Sequence, residues 1–370
     1  MSGPLTILHL THDGRGAGSS ISIALLARAQ RAAGHRVMVG CPPGCWLERR
    51  LAGSGVGALP VEFGSPRAAA RTVERLVRAE RVDVVNAHSS RDRAATRRLR
   101  FTGRLPAALV MTRRAMPMSS PVSALLSGFA ADRTVAVSRP VARSLVRRGT
   151  PPWRLRVVPN ALDVERVDGV VTPQRRDEAL GWIRPGIGNR ESGIGWLTPH
   201  GPLIGVVSRP KDHGTLIEAM RHLRTPATLV SLGFTADQYR FPIPDSRFPV
   251  VFLPFQDNPF PFYELFDVVV LPTRHEGLSQ GLMEAMALGK AIVTTRSGGN
   301  TDLIEDGAHG LLVPARDPAA MGSAIQRLLD DAALRARLGA AARTRVRAEF
   351  TIERTVAATD AVYREALARR

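Results

Sequence analysis

The chain has 370 residues, 44% hydrophobic and 23% charged, a globular composition with length enough for two domains. This excludes a disordered polymer and a disulfide scaffold, and no apolar run reaches the roughly 18–20 residues that span a bilayer. The formal charge of +18 directs attention to anionic partners: phosphorylated small molecules, an anionic membrane surface or nucleic acid.

In chain order, the start MSGPLTILHL lacks a basic segment, apolar run and cleavage site, so a cytoplasmic protein is expected. LTILHL (5–10) reads as a strand, and THDGRGAGSS (11–20) as a glycine-rich loop entering the helix 19–34. Gly14, Gly16 and Gly18 would let backbone approach a phosphate at that helix start, although a flexible turn accounts for the same glycines. Cys41 and Cys45 in CPPGC have no nearby Cys or His set, so free thiols are expected and no metal site. Further strands are RVMVG (36–40), VDVVNAH (82–88), ALVMT (108–112), RTVAVS (133–138) and LRVVPN (155–160). Continuous Val/Ile/Leu runs alternating with helices predict a parallel sheet covered on both faces.

Residues 168–201 are rich in Gly and Pro and read as a linker or insertion. A second series follows: PLIGVVS (202–208), ATLVSLG (227–233), VVFLPF (250–255), DVVVLP (267–272), AIVTT (291–295) and HGLLVP (309–314). The expectation is α/β architecture with two Rossmann-like, doubly wound domains facing across a cleft, residues 1–167 and 202–349. Chemistry belongs in the loops after the strands.

The 51 basic residues include two lysines, Lys211 and Lys290. Lys211 follows a strand with Arg209 and precedes a helix, a place suited to a diphosphate. Lys290 ends a helical run, where attraction to the helix dipole is explanation enough. The arginines are scattered, with no basic block and no aromatic alternation, so nucleic acid is not expected as a partner. In RHEGLSQGLMEAMALGK (274–290), Glu276 lies in a loop and Glu284 in the helix after it. Leu282, Ala285 and Met286 would form the buried face and Glu284 would lie off it; two carboxylates near helix amides suit a phosphorylated sugar, or are ordinary capping.

EGLSQGLMEAMALGKAIVTTRSGGNTDLIEDGAHGLLVP (276–314) resembles the family-4 retaining glycosyltransferases (glycosyl transferases group 1) of the GT-B fold. Their signature of Glu, seven residues, Glu is matched by Glu276 and Glu284, and KDHGTLIEAM (211–220), AVSRPVARSL (136–145), VVPNALD (157–163) and VDVVNAH (82–88) extend the likeness. The resemblance implies a nucleotide-diphosphate-sugar donor held mainly by the second domain and a hydroxyl acceptor on the first. Arg209 and Lys211 would steady the diphosphate, Glu284 the ribose and Glu276 the donor sugar. Gly277, Leu278, Ser279 and Gln280 would lie along the phosphates, and Gly16 and Gly18 would close the site from the first domain. Glu276, Arg209, Lys211 and His88 would be the catalytic residues, His88 from the acceptor side, which Arg113, Arg114, Ser138 and Asn160 would line and whose identity lies around His88–Arg93 and Arg113–Met118. The last helix, 350–370, would rejoin the first domain.

No cofactor or metal is implied, because cations and helix dipoles neutralise the leaving diphosphate. The envelope would be the setting: polysaccharide, lipopolysaccharide or glycolipid synthesis, with the enzyme peripheral on the inner face of the cytoplasmic membrane. The chain departs from the family at two places. Arg209 and Lys211 stand only two positions apart, and Arg114 replaces a histidine. A catalytically silent nucleotide-sugar binder is the alternative these departures suggest.

Overall fold

The structure, a computed structural model, describes residues 3–16, 18–116, 121–168, 172–188, 201–239 and 248–369. The chain divides into two compact units, Met1–Ala161 with Phe350–Arg370, and Leu162–Glu349.

In the first unit, β1 (Thr6–Leu10), β2 (Arg36–Cys41), β3 (Gly57–Pro60), β4 (Val84–Ala87), β5 (Ala108–Arg113), β6 (Arg133–Ala136) and β7 (Leu155–Val157) form one sheet. Its order is β3-β2-β1-β4-β5-β6-β7, and every pairing is parallel. Alternate side chains feed two cores: Leu8, Leu10, Val85 and Leu109 on one face, Ile7, Val39, Val84 and Val110 on the other. The sequence pattern does not reveal β3, whose GALP is a short edge strand, largely open to solvent, with no apolar run.

In the second unit, β8 (Leu203–Val207), β9 (Thr228–Leu232), β10 (Val250–Leu253), β11 (Val268–Leu271), β12 (Ala291–Thr295) and β13 (Leu311–Val313) form a parallel sheet. Its order is β10-β9-β8-β11-β12-β13. Each sheet reverses its winding once, between β1 and β4 and between β8 and β11, where doubly wound sheets open a crevice at the strand ends. The stretch read as linker carries a helix, Pro173–Gly188, with Ala179 and Ile183 buried. Residues 169–171 and 189–200 of that stretch lie outside the described residues.

The helix Ile352–Leu367 belongs to the first unit. Thr351 caps it by accepting the Arg354 N–H at 3.4 Å. Val362, Tyr363 and Ala366 enter the core that holds Ile7, Val84 and Val110. The Tyr363 hydroxyl accepts from Asn86 Nδ2 at 2.8 Å, and Asn86 Oδ1 accepts from Thr112 at 2.8 Å. Glu365 pairs with Arg133 at 2.7 Å and with Arg156 at 2.8 Å. Tyr363→Ala is therefore expected to cost about 3–5 kcal/mol, a buried aromatic lost with its cavity left behind. Tyr363→Phe is expected to cost about 1–2 kcal/mol, chiefly for the Asn86 amide donor it strands. Urea unfolding midpoints of the two variants should rank in that order.

Candidate functional site

The loops after β8 and β11 meet at the reversal point of the second sheet. Lys211 Nζ lies 3.2 Å from Glu276 Oε2, an ion pair between the two loops. The Asp212 N–H donates to Pro272 O at 3.0 Å, and Asp212 also pairs with Arg274 at 3.6 Å. Arg209 lies half-buried in the same loop as Lys211. At the base of that loop Ser208 N–H donates to Leu232 O at 3.0 Å. Gly233, at φ +133°, faces Ser208 so closely that a Cβ would stand 2.5 Å from its carbonyl oxygen.

His213 opens the helix His213–Met220 and holds Lys211 from below. Its Nδ1 accepts the Lys211 N–H at 3.0 Å, so Nε2 carries the ring proton. Burial lowers His213 to about 4, which keeps the imidazole neutral beside the ammonium of Lys211.

The opposite loop is held by contact between backbones. A Cβ on Gly298 would stand 2.0 Å from Glu276 O, and one on Gly299 1.8 Å from Gly277 O. The Gly299 N–H donates to Glu276 O at 3.1 Å, and the Gly277 N–H donates to the carboxylate Oε1 of Glu276 at 3.1 Å. Ser279 caps the helix Gln280–Ala287 by accepting Leu282 N–H at 3.2 Å. Gly277, Leu278, Ser279 and Gln280 are all buried.

Glu284 differs from the sequence expectation. The helix is buried around most of its circumference, so Glu284 does not lie off a buried face but inside the fold, 6% exposed. The Tyr263 hydroxyl reaches its Oε2 at 3.4 Å and Gly281 O at 2.9 Å. Burial raises Glu284 to about 7, against the opposing pull of Arg166 and of Tyr263. Lys290 is structural, but not at the helix it ends: its Nζ donates to Glu264 O at 2.9 Å, closing the neighbouring helix Phe260–Leu265.

The first unit collects the other candidates around β1, β4 and β5. Gly16 is half-buried in the glycine-rich loop and Gly18 is the first residue of the helix Gly18–Ala32. Thr11 and Ser89 join the loops after β1 and β4, Oγ to Oγ at 2.9 Å. His88 is buried and stacked on His9, ring centroids 5.2 Å apart. Arg114 donates to His88 Nδ1 at 3.3 Å and to Asn160 Oδ1, while Arg113 ends β5 and is buried. Ser138 does not join this group: fully buried, it caps the helix Arg139–Arg147 by accepting Val141 N–H at 3.4 Å. Residues 117–120, which include Met118, lie outside the described residues.

Sequence reasoning missed Tyr263, Arg166, His213 and Asp212. Tyr263 sits in the hydrophobic NPFPFYELF, where nothing distinguishes it from core, and Arg166 is one arginine among dozens.

Two family models match, Glycosyltransferase Family 4 over residues 16–166 and Glycosyl transferases group 1 over residues 201–331. A D-inositol 3-phosphate glycosyltransferase of Salinispora arenicola is 31% identical over 267 residues, 64% of this chain and 56% of the relative. The lipopolysaccharide core biosynthesis glycosyltransferase LpsE of Rhizobium meliloti is 37% identical over 89 residues, 24% of this chain and 26% of the relative. The chain thus spans about half, or less, of the length of these curated relatives. Anabaena Alr3699/HepE in complex with UDP-glucose superposes with a TM-score of 0.80 at 18% identity, covering 97% of this chain and 99% of that one. Sucrose-phosphate synthase of Thermosynechococcus elongatus gives 0.79 at 18%, covering 99% and 100%. At such identity the likeness shows the fold, two parallel-sheet α/β domains of the GT-B kind. With one family domain in each unit, the chain belongs to the group 1 and family 4 glycosyltransferases.

Proposed function

We propose that the chain transfers a sugar, with retention, from a nucleotide-diphosphate sugar to a hydroxyl acceptor in cell-envelope polysaccharide, lipopolysaccharide or glycolipid synthesis. The observation that carries this reading is the Lys211–Glu276 pair at the reversal point of the second sheet, with Glu284 buried in the helix behind it. The UDP and UDP-glucose complexes of Anabaena Alr3699/HepE, and relatives named for lipopolysaccharide core and capsule synthesis, support it.

In this reading Lys211 leaves Glu276 for the diphosphate, joined by Arg209, and the freed Glu276 carboxylate accepts from the sugar hydroxyls. Cations beside the departing diphosphate stabilise charge that develops only as the bond breaks. Glu284, once ionised, accepts from the ribose hydroxyls. With Glu284 on the ribose and Glu276 on the sugar, attack comes from the face the diphosphate leaves. The C1–O bond to phosphate breaks, the C1–O bond to the acceptor forms, and the acceptor proton passes to the leaving phosphate oxygen. The two cations take the part a metal ion plays in other transferases, so we read the reaction as metal-independent.

The reading extends to an anionic bilayer surface. No helix among the described residues is long and apolar enough to cross a membrane. The helix Pro121–Ala130 exposes Val122, Leu125, Leu126 and Phe129, Trp153 is exposed too, and the Arg154 guanidinium lies over the Phe129 ring. Apolar side chains rimmed by arginine suit a headgroup layer.

Lys211→Ala and Glu276→Ala should each lower kcat by about 10²–10³, with a chelator present throughout, in a donor-consumption assay over a panel of nucleotide sugars. Unchanged turnover in both would remove the site assignment; nucleotide binding by the wild type without turnover would favour the silent binder. Nucleotide affinity should fall about tenfold between pH 8 and pH 6, as Glu284 takes up its proton near 7, and Glu284→Gln should abolish that dependence. The sign for stability is opposite. A carboxyl raised in the folded state contributes stability that is lost as pH rises through about 7, so Glu284→Gln should be the more stable chain at pH 8, by something on the order of 3 kcal/mol. Vesicles of phosphatidylglycerol should carry the protein on flotation and vesicles of phosphatidylcholine should not; Phe129→Ser should weaken the first.

A further inference from the structure

Glu284 shares its buried setting with one phenol, and the packing around that phenol fixes where its hydroxyl lies. Tyr263, in the helix Phe260–Leu265, is fully buried. Its ring meets Phe266 edge to face, centroids 6.2 Å apart, and Phe266 presses on Gly205 of β8, where no Cβ would fit. At the other end, a Cβ on Gly281 would stand 2.9 Å from Val207 O and 3.2 Å from the Tyr263 hydroxyl. The lack of a side chain at 281 thus lets the hydroxyl reach the first turn of the helix Gln280–Ala287.

A phenol has one proton, and here two acceptors compete for it: Gly281 O at 2.9 Å and Glu284 Oε2 at 3.4 Å. While Glu284 is uncharged, the shorter contact takes the proton. The Glu284 carboxyl then donates its own proton to the phenol oxygen, so both groups are satisfied away from water. Once ionised, Glu284 is the stronger acceptor, and a turn about the phenolic C–O bond moves the proton from the carbonyl to the carboxylate. Gly281 O lies inside the helix and keeps its bond to the next turn, so the exchange strands no buried group.

The charges around the pair leave both forms of Glu284 within reach. Burial raises Glu284 to about 7, opposed by Arg166 and then by Tyr263, while Asp163 acts with burial. The Arg166 guanidinium is engaged by Asp257 O and lies over the Phe260 ring, 5.2 Å from its centroid. Of the other elements packed on this helix, Ala332–Glu349 brings Arg347, which donates to Ala287 O at 3.5 Å and pairs with Asp168. The short helix Asn300–Leu303 brings Asp302, and β12 brings no ionisable side chain.

We propose that Tyr263 is a positioning residue for the donor: its hydroxyl turns from the Gly281 carbonyl to Glu284 Oε2 and holds the carboxylate from behind while the ribose hydroxyls bind it. The proposal rests on the reading of Glu284 as the group that accepts from the ribose. A carboxylate held at one oxygen offers its remaining lone pairs in one direction, and a vicinal diol needs that fixed direction to place both of its O–H groups. A nucleotide without those hydroxyls gains nothing from the arrangement. Tyr263 thus helps to select ribose without touching it.

The full chain is titrated by calorimetry with UDP, ADP and GDP, and the tightest is taken forward with its 2′,3′-dideoxy form. At pH 8, where Glu284 is ionised, the wild type should prefer the ribonucleotide at least about tenfold; Tyr263→Phe should lose about fivefold on the ribonucleotide and nothing on the dideoxy form. The pH at which ribonucleotide affinity falls should also move upward in Tyr263→Phe, because a partner of the charged carboxylate is gone. Equal losses on both forms would make Tyr263 merely structural and overturn the proposal, and discrimination kept in full by the variant would overturn it too. A wild type that binds none of the three, or that does not distinguish the two forms, would remove the ribose reading of Glu284 and the proposal with it. The chain has three tyrosines, hence three ring 13Cζ resonances. In the ligand-free wild type one of them should follow the Glu284 titration between pH 6 and pH 8, and it should stay still in Glu284→Gln. If none moves, the switch is overturned whether or not Tyr263→Phe folds.

Discussion

The candidate donor site depends on one close approach of backbone to backbone. Gly298 and Gly299 press the turn after β12 against the carbonyls of Glu276 and Gly277, leaving no room for any side chain there. That contact, with the Gly299 N–H on Glu276 O, sets where the Glu276 carboxylate can point. The facing loop is seated in the same manner, by Gly233 against the carbonyl of Ser208. Side chains adjust by rotating, but backbone pressed on backbone does not. The geometry of Lys211 and Glu276 is therefore inherited from contacts that carry no chemistry of their own.

The first unit solves a different problem, a polar layer inside a hydrophobic sheet. His9, Asn86 and Thr112 point to the face whose remaining residues are Ile7, Val84 and Val110. Each such group would be costly if unpaired, and together they are matched: His9 to His88 and Gln30, Asn86 to Thr112 and Tyr363. Gln30 continues to Asp360, and so does His35. The run from Asp360 through Gln30 and His9 to His88 thus ties the terminal helix to the end of β4. Loosening the terminal helix would disturb the orientation of His88 without touching any candidate ligand group.

Much of this was legible in sequence, for definite reasons. Unbroken apolar runs such as DVVVLP and AIVTT disclose parallel strands buried on both faces, and both are strands. The loop positions of Arg209, Lys211 and Glu276 follow from strand ends alone. GALP escaped because an edge strand needs no apolar run, and the helix 173–188 escaped because proline and glycine nearby outweighed its pattern. Glu284 was placed on the wrong kind of surface because periodicity separates faces only when one of them meets solvent. Here Met283 and Ala287 are buried as fully as Leu282 and Met286, so no face was left for it. The capping role of Ser138 was not legible, because a helix cap and a ligand-facing hydroxyl look alike in sequence.

The retained lysine now has a physical reason. A guanidinium at position 211 would meet Glu276 as a planar fork, making two parallel hydrogen bonds and holding both partners in one geometry. An ammonium makes a single point contact, 3.2 Å here, and any of its three N–H groups can turn to a new acceptor. Under the proposed function, a pair that must part and release each group to a different portion of the donor is better served by the weaker clasp. The His213 imidazole completes the logic: by accepting the Lys211 N–H it anchors the backbone of that residue, while its neutrality adds no charge against the ammonium. The backbone of Lys211 is fixed at His213 while its ammonium has one contact, the division of labour that the proposed exchange of partners would use.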